Sequence, residues 1–200
     1  MAGGRKRAFD EDAALQAAME VFWRKGYVGA SLSDLTQSMG INKPSMYSAF
    51  GNKEELFLKA TEFYLENKAK SHLPQLFEAG LSFKQRLKNY LMSIVADQCE
   101  GDDPKGCYVV MCQSEVASGD LPDSARLLLE GAGKYLQTLL MGVFNDDPEA
   151  KQLGLHENAE LNALCLATTV SGTAGMARAK KTLVELEFVV DHSLRGIGLS

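Results

Sequence analysis

A chain of 200 residues, 46% of them hydrophobic and 24% charged, can bury a sizeable core and has the make-up of a globular protein, not a disordered or fibrous one. No apolar run reaches the roughly 20 residues of a membrane span, and the basic residues 5–7 lead into acidic ones instead of a signal-peptide core, so a cytoplasmic protein without a membrane partner is expected. Net charge is −5, but residues 1–53 hold seven Lys/Arg against five Asp/Glu and the remainder 14 against 21, and a mildly basic head on an acidic body suits a protein that meets DNA at one end.

In chain order, residues 3–7 form a basic arm, readable as a plain terminus or as a contact to DNA phosphate. Residues 9–25 carry Ala13, Leu15, Ala17, Ala18, Val21 and Phe22 at helical spacing, and Gly26 should stop that helix. Residues 31–50 read as two short helices around a sharp turn. Ser31 and Asp34 make a capping box, Gly40 supplies a left-handed stop, Asn42 caps the second helix and Pro44 fits its first turn. Met46 and Phe50 face inward while Ser45, Tyr47 and Ser48 point elsewhere. This is a helix-turn-helix, the unit that places its second helix in a DNA major groove.

A long helix follows over residues 54–77, with Lys53 at its N-terminus, where free N–H groups favour a phosphate, and with Pro74 expected to kink it or to end it near His72 and Leu73. Further helices are expected over residues 82–100, 107–117, 123–144, 158–180 and 183–194, with a turn at 101–106 and a polar loop after 145–148. Leu127, Leu128, Leu136, Leu139, Leu140 and Val143 are expected on the inside of the fourth of these six helices. No segment sustains a period of two, so the fold class is all-α. The last two helices are apolar on more than one side, and self-association as a two-fold dimer through a four-helix bundle would cover them.

The sequences GYVGASLSDL over residues 26–35, GINKPSMYSAF over 40–50 and NKEELF over 52–57 resemble the DNA-binding domain of the TetR family of repressors. The resemblance covers residues 9 to 65 with unbroken spacing. One departure is Ala30, where the family often has Thr. The resemblance implies an N-terminal three-helix domain, residues 1–52, and a ligand-sensing and dimerisation domain, residues 53–200. It also implies operator DNA as a partner, a homodimer, and a helix beginning near Lys53 as the mechanical link. By the same resemblance Lys43 and Tyr47 contact the DNA backbone or bases and Lys53 clamps a phosphate. Ser31, Asn42, Ser45 and Ser48 complete the candidate DNA-binding set.

In the body, Tyr90, Met92, Tyr108, Met111, Gln113, Tyr135, Met141 and Phe144 supply soft apolar and aromatic surface with a few polar tips for a cavity that takes an unidentified small-molecule effector, and they suit ordinary core as well. Cys99, Cys107, Cys112 and Cys165 contain no C-x-x-C pair, and the three histidines are scattered, so no metal site is expected. Cys107 at a helix start near Lys105 makes a case for a reactive thiolate, with Cys99 its feasible partner across the turn. The sequence 171–175, SGTAG, lacks the strand and the Lys-Ser/Thr of a phosphate-binding loop and reads as close helix packing. No nucleophile–base–orienter set stands out, so an enzyme is not expected, nor any cofactor. The reading is a repressor released from its operator by a small molecule. The alternatives are a redox or electrophile sensor acting through Cys107, or a helical-bundle enzyme or carrier with an incidental helix-turn-helix.

Overall fold

The computed structural model describes residues 9–101 and 104–199; the basic arm at 3–7 and part of the turn at 101–106 lie outside them. Among the described residues there are ten α-helices and no strand.

α1, Glu11–Gly29, begins at Asp10, whose carboxylate accepts the N–H groups of Asp12 and Ala13. The sequence expectation placed its end at Gly26. The axis does break there, with Gly26 at φ 72° and ψ 179°, but one more helical turn continues to Gly29. α2, Leu32–Ser38, starts on the expected Ser31–Asp34 capping box, and Gly40 at φ 64° turns the chain into α3, Lys43–Phe50, capped by Asn42. α4, Lys53–Asn67, opens on a second capping box, Asn52 with Glu55.

α4 corrects the sequence reading. It ends at Asn67, not near His72, and residues Ala69–Phe77 run on as a 3-10 helix. Pro74 has no N–H for the carbonyl of Lys70, and its ring would crowd that carbonyl in an α-helix. The chain leaves α geometry at Lys68, φ −112° and ψ −60°, before the clash arises, and still turns His72 and Leu76 inward.

α5, Phe83–Cys99, buries Phe83, Leu87, Tyr90, Leu91 and Val95 on one face. α6 is shorter than expected, Tyr108–Gln113, and is followed by a 3-10 turn at Val116–Ser118. α7, Asp123–Asp146, leaves Leu127 exposed; its buried residues Ala125, Leu129, Leu140 and Phe144 follow a stripe that twists away from it. The expected polar loop contains α8, Pro148–Gln152, because Asp147 caps it and Pro148 occupies its first position, and then a 3-10 turn, Leu155–Asn158. α9, Ala159–Arg178, and α10, Leu183–Gly196, pack on each other and on α5, and α9 also lies along α7.

Two apolar clusters hold the fold. One joins α5, α7, α9 and α10 around Tyr90, Phe144, Leu166 and Leu194. The other centres on Phe22, Leu35, Met46 and Phe57 and takes in Tyr108, Val109, Cys112, Ala125 and Leu129 from α6 and α7. Phe22 is fully buried, with its ring edge-to-face on Phe57 at 5.0 Å. Phe22→Ala is expected to remove about 3–5 kcal/mol of stability, read by chemical denaturation, with the loss set by how little this close-packed site can collapse.

Candidate DNA-reading face and effector cavity

The turn between α2 and α3 fixes where the outward side chains of α3 go. Asn42 Oδ1 accepts the Ser45 N–H at 2.9 Å, so its Nδ2 group takes no part in the cap. Lys59 donates to the Phe50 carbonyl at 3.1 Å and satisfies an acceptor at the far end of α3. With Met46 and Phe50 buried, Lys43, Tyr47 and Ser48 stand on the exposed side, and Tyr47 is 47% exposed although it is a large aromatic residue. Ser45 is half-buried.

Ser31 and Lys53 are more committed than their sequence positions suggested. The Ser31 hydroxyl donates to Asp34 Oδ2 at 2.7 Å and accepts the Asp34 N–H at 3.0 Å, so it serves the α2 cap first. Lys25, 2.6 Å from the Asp34 carboxylate, and then Ser31 hold that carboxyl well below the usual carboxylate range. Lys53 places its ammonium over the Tyr27 ring, 4.5 Å from the centroid, and partial burial lowers its pKa.

Behind the head lies a cavity of about 130 Å³. Its walls come from six helices and the 3-10 segment, among them Trp23 of α1, Tyr64 of α4, Tyr90 of α5, Tyr135 of α7, Val170 of α9, and His72. Cys107 and, from α6, Val109, Val110 and Gln113 close one side. Charged groups on the wall face one another. Asp97 lies 3.5 Å from His72 Nε2 and 3.9 Å from Lys68, while burial lowers the His72 pKa and favours the neutral ring. Gln98 is satisfied at both ends, donating to the Val170 carbonyl and accepting from Thr173. The Trp23 indole stands edge-on to Tyr64 at 5.5 Å, and its N–H is buried with no acceptor among the described residues.

Of the eight residues expected at a cavity, the structure brings Tyr90, Gln113 and Tyr135 to it, while Met92 packs against the apolar cluster of the body. Tyr108 is buried instead in the head-side cluster, its hydroxyl 2.8 Å from Thr61 Oγ1. Phe144 is core, packed on Phe83 at 5.7 Å, and Met141 packs against the same cluster. Met111 does not line the cavity; α6 turns Val109, Val110 and Gln113 toward it, and a helix this short has no periodic stripe from which its faces can be read. Trp23, His72 and Asp97 were missed as wall residues. Only Trp23 carried a signal, as the single tryptophan, placed beside core residue Phe22.

The four cysteines are free thiols. Cys107 Sγ lies on the cavity wall, 3.4 Å from the Tyr64 hydroxyl, whose pKa is raised by burial and by this neighbour. Cys99 sits in a separate groove with Lys105, Lys180 and Lys181, and burial raises its thiol pKa despite Lys105. Cys112 is buried and pushed up to about 12. Among the described residues no group of three or more His, Cys, Asp or Glu is placed to hold a metal ion, and no helix is long and apolar enough to cross a membrane.

A three-helix head with an outward-facing third helix on an all-helical body defines a helix-turn-helix protein of the transcription-factor class. Residues 14–60 match the model of the bacterial regulatory proteins of the tetR family. A solved structure of the TetR family regulator CifR, a cysteine mutant complexed with 26 bp operator DNA, is 34% identical, covers 96% of this chain and 98% of that one, and superposes with a TM-score of 0.85. The transcriptional repressor ComR of Escherichia coli K12 is 35% identical over 125 residues, a match that spans 62% of this chain and only 60% of ComR. The uncharacterised regulator YezE of Bacillus subtilis 168 is 29% identical over 94% of this chain and 95% of its own length. The chain belongs to the TetR family of transcriptional regulators.

Proposed function

We propose that this regulator is a homodimeric repressor that acts in the cytoplasm, binds an approximately palindromic operator through residues 1–52, and dimerises and senses an effector through residues 53–200. The observation that carries the reading is the position of one cavity between the two jobs: Trp23, a residue of the head, forms part of its wall. Lys43, Tyr47 and Ser48 on the exposed side of α3 read the groove or hold its phosphates, with Asn42 and Ser45 beside them. Ser31 and Lys53 lie at the edges of that face and serve it after their structural bonds. CifR's capture on operator DNA supports the DNA partner. The dimer seam is the exposed apolar face of α9 and α10, where Leu161, Phe188 and Val184 are 65%, 69% and 64% exposed.

The cavity suits an uncharged, ring-sized molecule. Its volume is close to that of engineered cavities that hold benzene, aromatic rings surround it, and its charges already have partners on the wall. Trp23 is the single tryptophan, so its fluorescence reports occupancy directly. Phenol is expected to change that emission saturably in the millimolar range or below, benzoate and benzyltrimethylammonium far less, and phenol to lower affinity for a duplex selected from a random library by this protein. Saturable binding of the charged probes with none of phenol would overturn the assignment of an uncharged effector.

A second reading follows from Cys107, whose sulfur is on the same wall beside Tyr64: an electrophile that enters the cavity is captured by the thiol and releases the operator. Release that survives Cys107→Ser would eliminate it.

A further inference from the structure

The break in α1 leaves a hydrogen-bonding problem that is solved from outside the head. At Gly26 the backbone leaves α geometry, so the N–H groups of Tyr27 and Val28 start a new turn without partners one turn back. Both are taken by one carboxylate from the body. Glu115, two residues past the end of α6, accepts Tyr27 N–H at 2.6 Å and Val28 N–H at 3.1 Å, one oxygen to each. The approach requires glycine at position 26: a Cβ there would lie 2.4 Å from Glu115 Oε1 on a backbone with φ 72°. The carboxylate also acts electrostatically on Lys53, whose ammonium covers the Tyr27 ring, so the start of α4 gathers at the same point. The short helix that leads to Glu115 carries Val109, Val110 and Gln113 on the cavity wall and packs against α1.

We infer that Glu115 is a positioning residue for DNA binding, a cross-domain cap whose two charge-assisted hydrogen bonds hold the head at its working angle on the body. The inference rests on the reading of the head as the DNA-binding part. Any displacement of α6 is passed to α1 through these two bonds, whereas a head held by apolar packing alone could slide. Glu115 lies outside the α3 face and is not part of the cavity wall, and its link to the DNA-binding set is the electrostatic one to Lys53.

The full-length protein tests this with Glu115→Ala and Glu115→Gln. Two quantities are read on each: amide hydrogen exchange of the peptide spanning residues 26–30, and affinity for the duplex selected by the wild-type protein. Glu115→Ala is expected to speed exchange at Tyr27 and Val28 at least tenfold and to weaken duplex binding about tenfold. Glu115→Gln keeps one acceptor oxygen for the two N–H groups and should recover part of both. Unchanged exchange in Glu115→Ala would overturn the inference, and so would faster exchange with unchanged affinity, which would leave Glu115 a structural cap only. If the alanine variant does not fold, Glu115→Gln carries the test, with a two- to fivefold loss of affinity expected and none overturning the inference. Phenol quenching of wild-type Trp23 judges the cavity separately, so the cavity reading and the cap can fail independently.

Discussion

Replacing Lys43 and Tyr47 together by alanine is expected to weaken binding to the selected duplex about 100-fold, roughly 3 kcal/mol, while the midpoint of thermal unfolding stays within a degree or two. The two halves of that expectation have separate causes. Each side chain lies on the exposed side of α3, where truncation leaves no cavity, since Met46 and Phe50 do the packing. On DNA, by the proposed reading, the ammonium of Lys43 and the hydroxyl of Tyr47 would each contribute a polar contact, and in a dimer every loss would be counted twice. The Lys43 change alone should also flatten the dependence of affinity on salt by about one released counterion per head. Fluorescence anisotropy at several salt concentrations measures both, and unchanged affinity in the double variant would remove α3 from the interface.

The second large effect is expected at the other end of the molecule. Phe188→Glu should convert the dimer to a monomer in sedimentation velocity at micromolar concentration and lower operator affinity at least 100-fold. Phe188 is 69% exposed on α10 and stands with Val184 and Val189 in an apolar patch too large to be left in water. A carboxylate there would be buried without a partner in a four-helix seam, at a cost of several kcal/mol. The loss of DNA binding is then a matter of effective concentration, because two linked heads engage two half-sites where a single head engages one. A dimer that survives the substitution would move the seam off α10.

Those two surfaces were also the most legible parts of the sequence, for a shared reason. Caps, glycine stops and period-3.6 stripes are local, and Ser31, Asp34, Gly40, Asn42 and Pro44 act within a few residues of themselves. The cavity was legible only in part, because it is made by long-range packing. Tyr90 and Tyr135 face it, whereas Tyr108 and Phe144, of equal chemistry, are core; which side of a helix meets empty space depends on the neighbour laid across it. Glu115 was invisible for the same reason, since its partners lie more than 80 positions away and are backbone groups. The end of α4 was misplaced because Pro74 acts at a distance: the chain begins to adjust at Lys68, six residues ahead of the ring that forces it.

The apolar cluster that holds α1, α2 and α3 together is not confined to them. Tyr108, Cys112, Ala125 and Leu129 belong to it, and the Tyr108 hydroxyl is tied to Thr61 on α4. The proposed boundary at residue 52 would therefore separate tasks and not folding units. Exchange of heads between related regulators by a cut at that point would expose one half of a hydrophobic core and leave the other unfilled. Only a seam that carries α4, α6 and the first turns of α7 along with the head keeps the graft watertight. The part of this molecule that reads DNA has, in effect, no outline of its own.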